Sequence, residues 1–237
     1  MSRILLKAGG AVVEPAAGQA LALHRDGHEV CVVHGAGPQI SVEMERQGLE
    51  VAFVEGRRVT SAAALEVVRE SLRAVNGALC TAIGPLAVGL MGDEIGLEAV
   101  GIPELGLVGD PLPSRPPLVV SALGEGRIPV VAPLAAGPLN VNADEAAVAL
   151  AAGLGMERIL FVTDVPGLLL GGETVSSVHV DEAERLLGDG LLSGGIVPKL
   201  RAAVLAARLG MDAEIGETIV VADHEHAAPP SLAGGTQ

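Results

Sequence analysis

Aromatic side chains are almost missing from this chain of 237 residues: it holds Phe53 and Phe161 but no Trp or Tyr. Without aromatic platforms it cannot bind single-stranded nucleic acid by base stacking. Positive charge is scarce too, with 15 Lys and Arg against 29 Asp and Glu, a net charge of −14. Nucleic-acid binding needs a basic field, so nucleic acid is excluded as a partner. The two cysteines, Cys31 and Cys80, lie in apolar contexts and read as reduced core residues rather than a disulfide framework. The longest apolar run, 146–156, is bounded by Glu145 and Glu157. It falls well short of the ~20 residues a bilayer span needs, so no membrane partner is expected. The start, Met1-Ser2-Arg3, lacks a signal peptide's apolar core and cleavage site. These features together point to the cytoplasm. There is no Gly-x-x-x-x-Gly-Lys-Ser/Thr loop and no Gly-x-Ser-x-Gly elbow, and His24 and His28 lack the HExxH context. P-loop, α/β-hydrolase and zincin chemistries therefore drop out, and no metal-ligating set emerges.

Hydrophobic residues make up 49% of the chain, which supports a folded core. Short apolar runs alternate with helical periodicity. Strands are predicted over 3–7, 30–34, 128–132, 158–162 and 219–221. Helices are predicted over 15–25, 38–47, 61–79, 117–124, 144–153, 181–187 and 198–209. In the long helix Ser61 is placed to cap the start, with Leu65, Val68, Leu72 and Val75 on one face. This alternation argues an α/β fold with a mostly parallel sheet covered on both faces. Residues 50–60 read as a β-hairpin with its tip near Glu55-Gly56, and 84–110 as β-like. Residues 111–117, with four prolines, read as a stiff surface connector, and the tail after Ala222 as loop.

Two lysines beside glycine-rich turns stand out. Lys7 ends an apolar run and precedes Ala8-Gly9-Gly10; Lys199 closes Ser193-Gly194-Gly195-Ile196-Val197-Pro198-Lys199. Glycine lets backbone N–H groups approach phosphate oxygens and lysine adds charge, so the pattern suits a polyphosphate anion. His34-Gly35-Ala36-Gly37-Pro38 opens a helix after a strand, a place where free N–H groups gather; His34 itself reads as structural. Arg57-Arg58 offers the two-pronged geometry that binds carboxylates, although it also fits a solvated charge pair. In Asn140-Val141-Asn142-Ala143-Asp144 the two asparagines share a face if extended. Asp144 is then either a helix N-cap or an anion that orients two lysines.

Six such segments in this order, among them Gly56-Arg57-Arg58-Val59-Thr60 and Thr163-Asp164-Val165-Pro166-Gly167, resemble the amino acid kinase family. Within it they are most similar to the branch that phosphorylates N-acetyl-L-glutamate. The resemblance covers nearly the whole chain and weakens after about Met211. It implies one domain, a three-layer αβα sandwich with a mostly parallel open sheet of the carbamate kinase type. Lobe 1–139 would take the amino-acid substrate and dimerise, and lobe 140–237 would take ATP with Mg2+ carried on the nucleotide. On this resemblance the γ-phosphoryl group passes to the side-chain carboxylate of N-acetyl-L-glutamate, on the route to arginine. Lys7 and Lys199 would stabilise the transferring group, and Asp144 would hold both lysines. Arg58, Asn140, Gly35, Ala36 and Gly37 would bind the acceptor. Gly9 and Gly10, the 164–169 stretch (Asp164, Val165, Pro166, Gly167, Leu168, Leu169) and Leu191, Leu192 and Ser193 would meet the nucleotide.

The chain departs from the family pattern at Ala36 (usually glycine), Arg57 (usually apolar) and Ser61 (usually aspartate). The resemblance further implies a homodimer through helix 61–79. With the first strand starting at Arg3, it implies no arginine-responsive N-terminal helix. Two rivals share the pattern: a kinase for aminoadipate or glutamate bound to a carrier protein, and a non-catalytic sensor on the same fold.

Overall fold

The computed structural model describes residues 1–222; the tail expected to be loop lies outside them. Strand Arg3–Ala8 is buried along almost its whole length because it pairs in parallel on both edges and is covered on both faces. Leu6 sits opposite Val32 on one side and Leu160 on the other. Such a strand reads as a continuous apolar run rather than an alternating one. Side chains still alternate in direction. Ile4 and Leu6 join Val30 and Val32 in one core, while Leu5 joins Cys31 and Val33 in the other.

These cores separate three layers. The eight-stranded sheet runs in the order Ser177–His179, Thr218–Val221, Asp212–Ile215, Arg158–Val162, Arg3–Ala8, Glu29–His34, Ile128–Ala132 and Ala87–Met91. Helices Val13–Arg25, Gly37–Arg46 and Ala62–Ile83 supply the core on one face. Helices Pro117–Gly124, Ala143–Leu154, Val180–Gly188 and Ile196–Arg208 supply it on the other. The sandwich is mostly parallel, as expected; only Thr218–Val221 and its parallel neighbour Ser177–His179 run against the rest. A second sheet contains four short strands, Ala99–Gly101, Val108–Pro111, Leu139–Val141 and Leu134–Ala135. No helix among the described residues is long and apolar enough to cross a membrane.

Helix Ala62–Ile83 shows how local sequence sets these elements. Ser61 Oγ accepts from the Ala64 N–H at 3.2 Å, satisfying one of the free donors of the first turn, and Gly84 ends the helix at φ 81°. Leu65, Val68, Leu72 and Val75 are all buried. Each such side chain contributes roughly 1.5–3 kcal/mol, and Leu72→Ala would cost about 2–5 kcal/mol.

Four segments differ from expectation. A helical turn, Gly92–Ile95, interrupts the β-like stretch, where Gly92 lies tight against the Leu134 and Ala132 carbonyls. The proline-rich connector is not wholly at the surface: Ser114 is buried, and its backbone packs on Gly153 of helix Ala143–Leu154, leaving no room for a Cβ there. Strands Ser177–His179 and Asp212–Ile215 have no apolar run to announce them.

The chain leaves Arg3–Ala8 through a helix on one face and leaves Arg158–Val162 toward helices on the opposite face. Adjacent strands whose connections diverge open a crevice at their carboxyl ends, where open α/β sheets bind ligands. Lys7-Ala8-Gly9 and Val162-Thr163 lie there.

Candidate active site

Alternation along the first strand decides where Lys7 points. It shares a face with Leu5, and that face is covered by helices Ala143–Leu154 and Ile196–Arg208. These carry Asp144 in the first turn of one and Lys199 in the first turn of the other. Lys7 Nζ lies 2.9 Å and Lys199 Nζ 3.5 Å from the same oxygen, Asp144 Oδ1. Asp144 is not the N-cap. Asn142 is, its Oδ1 accepting from the N–H groups of Asp144 at 2.8 Å and Glu145 at 3.2 Å. The asparagine caps the helix, which leaves the aspartate to face the lysines. Burial pulls Lys7 down to about 8; Asp144 opposes the shift and the nearby Lys199 charge adds to it. Two cations share one anion, so the hub keeps surplus positive charge for an anionic ligand.

Two cavities meet at this hub, sharing Gly9, Ala11, Gly195 and Lys199 in their walls. The first, about 450 Å³, contains Lys7, Asp144, Gly35, Ala36, Gly37, Arg58 and Asn140, bringing together the residues expected to hold the acceptor. Arg58 is buried, with Nη2 donating to Ser41 Oγ at 2.8 Å and to the Gly37 carbonyl at 3.1 Å. Its guanidinium lies 4.5 Å from the Phe53 ring centroid. Burial lowers its affinity for the proton, and no carboxylate among the described residues pairs with it. A buried charge without a counter-ion is costly, so this is a place for an anionic ligand. Asn140 Nδ2 donates to Thr60 Oγ1 at 3.0 Å, and Thr60 Oγ1 to the Arg58 carbonyl at 2.7 Å. Asn140 thus fixes the backbone that carries Arg58.

The glycine turn behaves unevenly. The Gly35 N–H is taken by the Ala8 carbonyl at 2.9 Å, so it is not free for a ligand. Ala36 precedes helix Gly37–Arg46 and caps it with no side-chain hydrogen bond, so the first-turn N–H groups (Pro38 has none) are left without a side-chain cap beside the cavity that Ala36 and Gly37 line. Its φ of −144° is ordinary for alanine, so the missing third glycine imposes no backbone strain. His34 is fully buried and structural, as expected. Burial pushes it down to about 4, against its bond to Gly35, with Lys7 adding to the shift. Asn76 Nδ2 lies 3.1 Å from His34 Nε2 and donates to the Val130 carbonyl at 2.9 Å.

The second cavity, about 480 Å³, is lined by Asp164, Val165, Gly167, Leu168, Leu169, Leu191, Leu192 and Ser193 of the expected nucleotide set. Val165, Leu169 and Leu191 are exposed apolar side chains around it, a feature more typical of a ligand slot than of bare surface. Two expected residues fall elsewhere. Gly10 lines the first cavity, with its carbonyl held by Gln39 Nε2 at 2.8 Å. Pro166 is outside both cavities, its carbonyl accepting from the Glu217 N–H at 2.6 Å. Gly195 reads in the sequence only as part of a glycine turn; as the N-cap of helix Ile196–Arg208 it lines both cavities and directs the helix's positive end at their junction. Phe53, Leu72, Val108 and Pro133 join the first cavity from distant segments, with no local signal to reveal them.

Comparison with known proteins gives the family. The model of the amino acid kinase family matches residues 2–217. A protein of Rubrobacter xylanophilus named acetylglutamate kinase is 40% identical over 244 residues, covering 99% of this chain and 95% of that protein. An acetylglutamate kinase of Geobacillus stearothermophilus is 37% identical over 218 residues, covering 86% of this chain and 84% of its own. Among solved structures, smu.665 from Streptococcus mutans UA159 superposes with a TM-score of 0.83 at 24% identity, covering 93% of this chain and 99% of that one. Matched by the family model over residues 2–217 and 40% identical to a relative over nearly its whole length, this chain belongs to the amino acid kinase family.

Proposed function

We propose that this chain is an ATP-dependent kinase that phosphorylates the side-chain carboxylate of N-acetyl-L-glutamate in arginine biosynthesis. The observation that carries the reading is the pair of cavities joined at Lys199, one with the unpaired Arg58 guanidinium and the other with an apolar slot. Relatives named acetylglutamate kinase over nearly the full length support the acceptor.

In this reading Arg58 holds one carboxylate of the acceptor, and the first-turn N–H groups after Ala36 hold an oxygen beside it. The other carboxylate faces the hub. It is ionised at neutral pH and already nucleophilic, so no general base is required. Its oxygen attacks the γ-phosphorus, the bond to the β,γ-bridging oxygen breaks, and ADP departs with that electron pair. Lys7 and Lys199 offset charge on the transferring phosphoryl group, and Asp144 keeps them at fixed positions. Gly9 and Gly195 bring backbone donors to the phosphates. Asp144 is committed to two lysines, and among the described residues no group of three or more acidic, His or Cys side chains is arranged to hold a metal ion. These residues fit Mg2+ held by phosphate oxygens and water rather than in a protein cage.

The acceptor reading extends to a cytoplasmic homodimer joined through helix Ala62–Ile83. Kinase action on a carrier-bound amino acid is not favoured: Glu55, Asp110 and Glu145 surround Arg57 beside the first cavity and would repel an acidic carrier. The test is ATP turnover with magnesium and hydroxylamine, comparing N-acetyl-L-glutamate, glutamate and aminoadipate. Hydroxamate formed from N-acetyl-L-glutamate alone, and lost in Lys7→Ala and Lys199→Ala, is expected. No hydroxamate from any free acid refutes the reading.

A further inference from the structure

Arg57 stands where the family resemblance leads one to expect an apolar side chain, and nothing in the proposed chemistry uses it. The hairpin it belongs to is minimal: strands Phe53–Val54 and Arg57–Arg58 have two residues each, turned at Glu55 (φ 50°) and Gly56 (φ 82°). So short a hairpin is not stable alone. Apolar burial does not supply the missing stability, since Phe53 is 55% and Val54 47% exposed. Yet this hairpin carries Arg58 and walls the first cavity.

Polar ties hold it instead. Arg57 Nε donates to Glu145 Oε2 at 3.0 Å, and Nη2 donates to Glu145 Oε1 at 3.2 Å and to Asp110 Oδ1 at 2.8 Å. Asn142 Nδ2 donates to the Gly56 carbonyl at 3.2 Å. Glu145 follows Asp144 in the first turn of its helix, and Asn142 is that helix's N-cap. Unlike Arg58, Arg57 is already matched by two carboxylates, so it has no surplus charge for an acceptor. We propose that Arg57 is a positioning residue that latches the hairpin to the helix bearing Asp144, so that acceptor wall and lysine hub form one rigid unit.

The inference rests on the acceptor reading of the first cavity, and its test separates the two. Arg57→Met is expected to raise KM for N-acetyl-L-glutamate about fivefold, in keeping with a partly buried charge network, with KM for ATP moving less than about twofold. Glu145→Gln should reproduce the effect, and the double variant should be no worse than Arg57→Met. Arg57→Lys should recover part of the loss. If Arg57 instead touched the acceptor, Glu145→Gln would leave KM unchanged or lower it, and the latch would be overturned.

A second readout needs no turnover. The chain has no tryptophan, so Val54→Trp places a single indole on the hairpin, opposite Arg57 in register. Adding Arg57→Met or Glu145→Gln should raise its acrylamide quenching constant about twofold; an unchanged constant overturns the latch. Absence of wild-type turnover with N-acetyl-L-glutamate would sink the acceptor reading, while quenching would still decide the latch.

Discussion

Replacing Asp144 by asparagine keeps the shape of the hub and removes the anion that both lysines share. In the native site one carboxylate oxygen lies 2.9 Å from Lys7 Nζ and 3.5 Å from Lys199 Nζ, and burial has already brought Lys7 down to about 8. At an effective dielectric of about 20, charges separated as Lys7 and Asp144 are attract by roughly 6 kcal/mol. Losing even a quarter of that moves the lysine down by about one pKa unit. The unrelieved repulsion from Lys199 acts in the same direction. Lysine is charged below its pKa, so Asp144→Asn leaves a large share of Lys7 neutral at pH 7. Removing one partner of a buried pair also destabilises the fold, by about 3–5 kcal/mol while both lysines remain charged, and less as Lys7 sheds its proton. The assay is ADP release across pH 6 to 10, read as kcat/KM for ATP, beside thermal unfolding. The wild type should lose activity as pH rises through about 8. Asp144→Asn should lower kcat at pH 7 by about 100-fold and move the alkaline limb down by at least about one unit. An alkaline limb that stays in place with kcat reduced less than about fivefold would refute the electrostatic role given to Asp144.

Other outcomes follow from the same geometry. Arg58→Met should raise KM for the acceptor by about 100-fold, while the ligand-free protein melts no lower than wild type, because a buried unpaired charge has been replaced by an apolar chain; a large loss of stability with unchanged KM would contradict this. His34 is held near 4 against an ordinary 6.5, so between these values the unfolded chain binds more protons than the folded one. Stability should therefore fall as pH drops from 6.5 to 4, by roughly 3 kcal/mol for this residue, and His34→Gln should flatten denaturation midpoints across that window. The latch variants at Arg57 and Glu145 should act on the acceptor KM and leave that for ATP nearly unmoved.

Much of this site was legible because each functional residue sits where a strong local signal ends. Lys7 lies at the carboxyl end of a doubly buried strand, Gly35-Ala36-Gly37 bridges a strand and a helix, and Lys199 lies in the first turn of a helix that follows two glycines. Such punctuation survives in one dimension. The choice between cap and hub for Asp144 did not, because it depends on Asn142 taking the cap and on two lysines arriving from distant parts of the chain. The split between cavities was hidden for the same reason: Gly10 lines the first cavity and Pro166 neither. Strand Asp212–Ile215 has no apolar run; pairing with Arg158–Val162 on one side and Thr218–Val221 on the other, aided by Arg158–Glu214 at 2.6 Å, defines it. Arg57 looked like half of a surface pair until the fold supplied Glu145 and Asp110.

The central claim is that an acceptor carboxylate oxygen attacks the γ-phosphorus directly where the two cavities meet. It is tested by supplying N-acetyl-L-glutamate labelled with 18O in its side-chain carboxylate, trapping the product with hydroxylamine, and reading the released phosphate by 31P NMR. Direct attack puts a labelled oxygen in the acyl phosphate bridge, and hydroxylamine then expels phosphate carrying one 18O. Phosphate with no label, accompanied by ADP, would mean that water rather than the acceptor takes the phosphoryl group, and the account would be wrong.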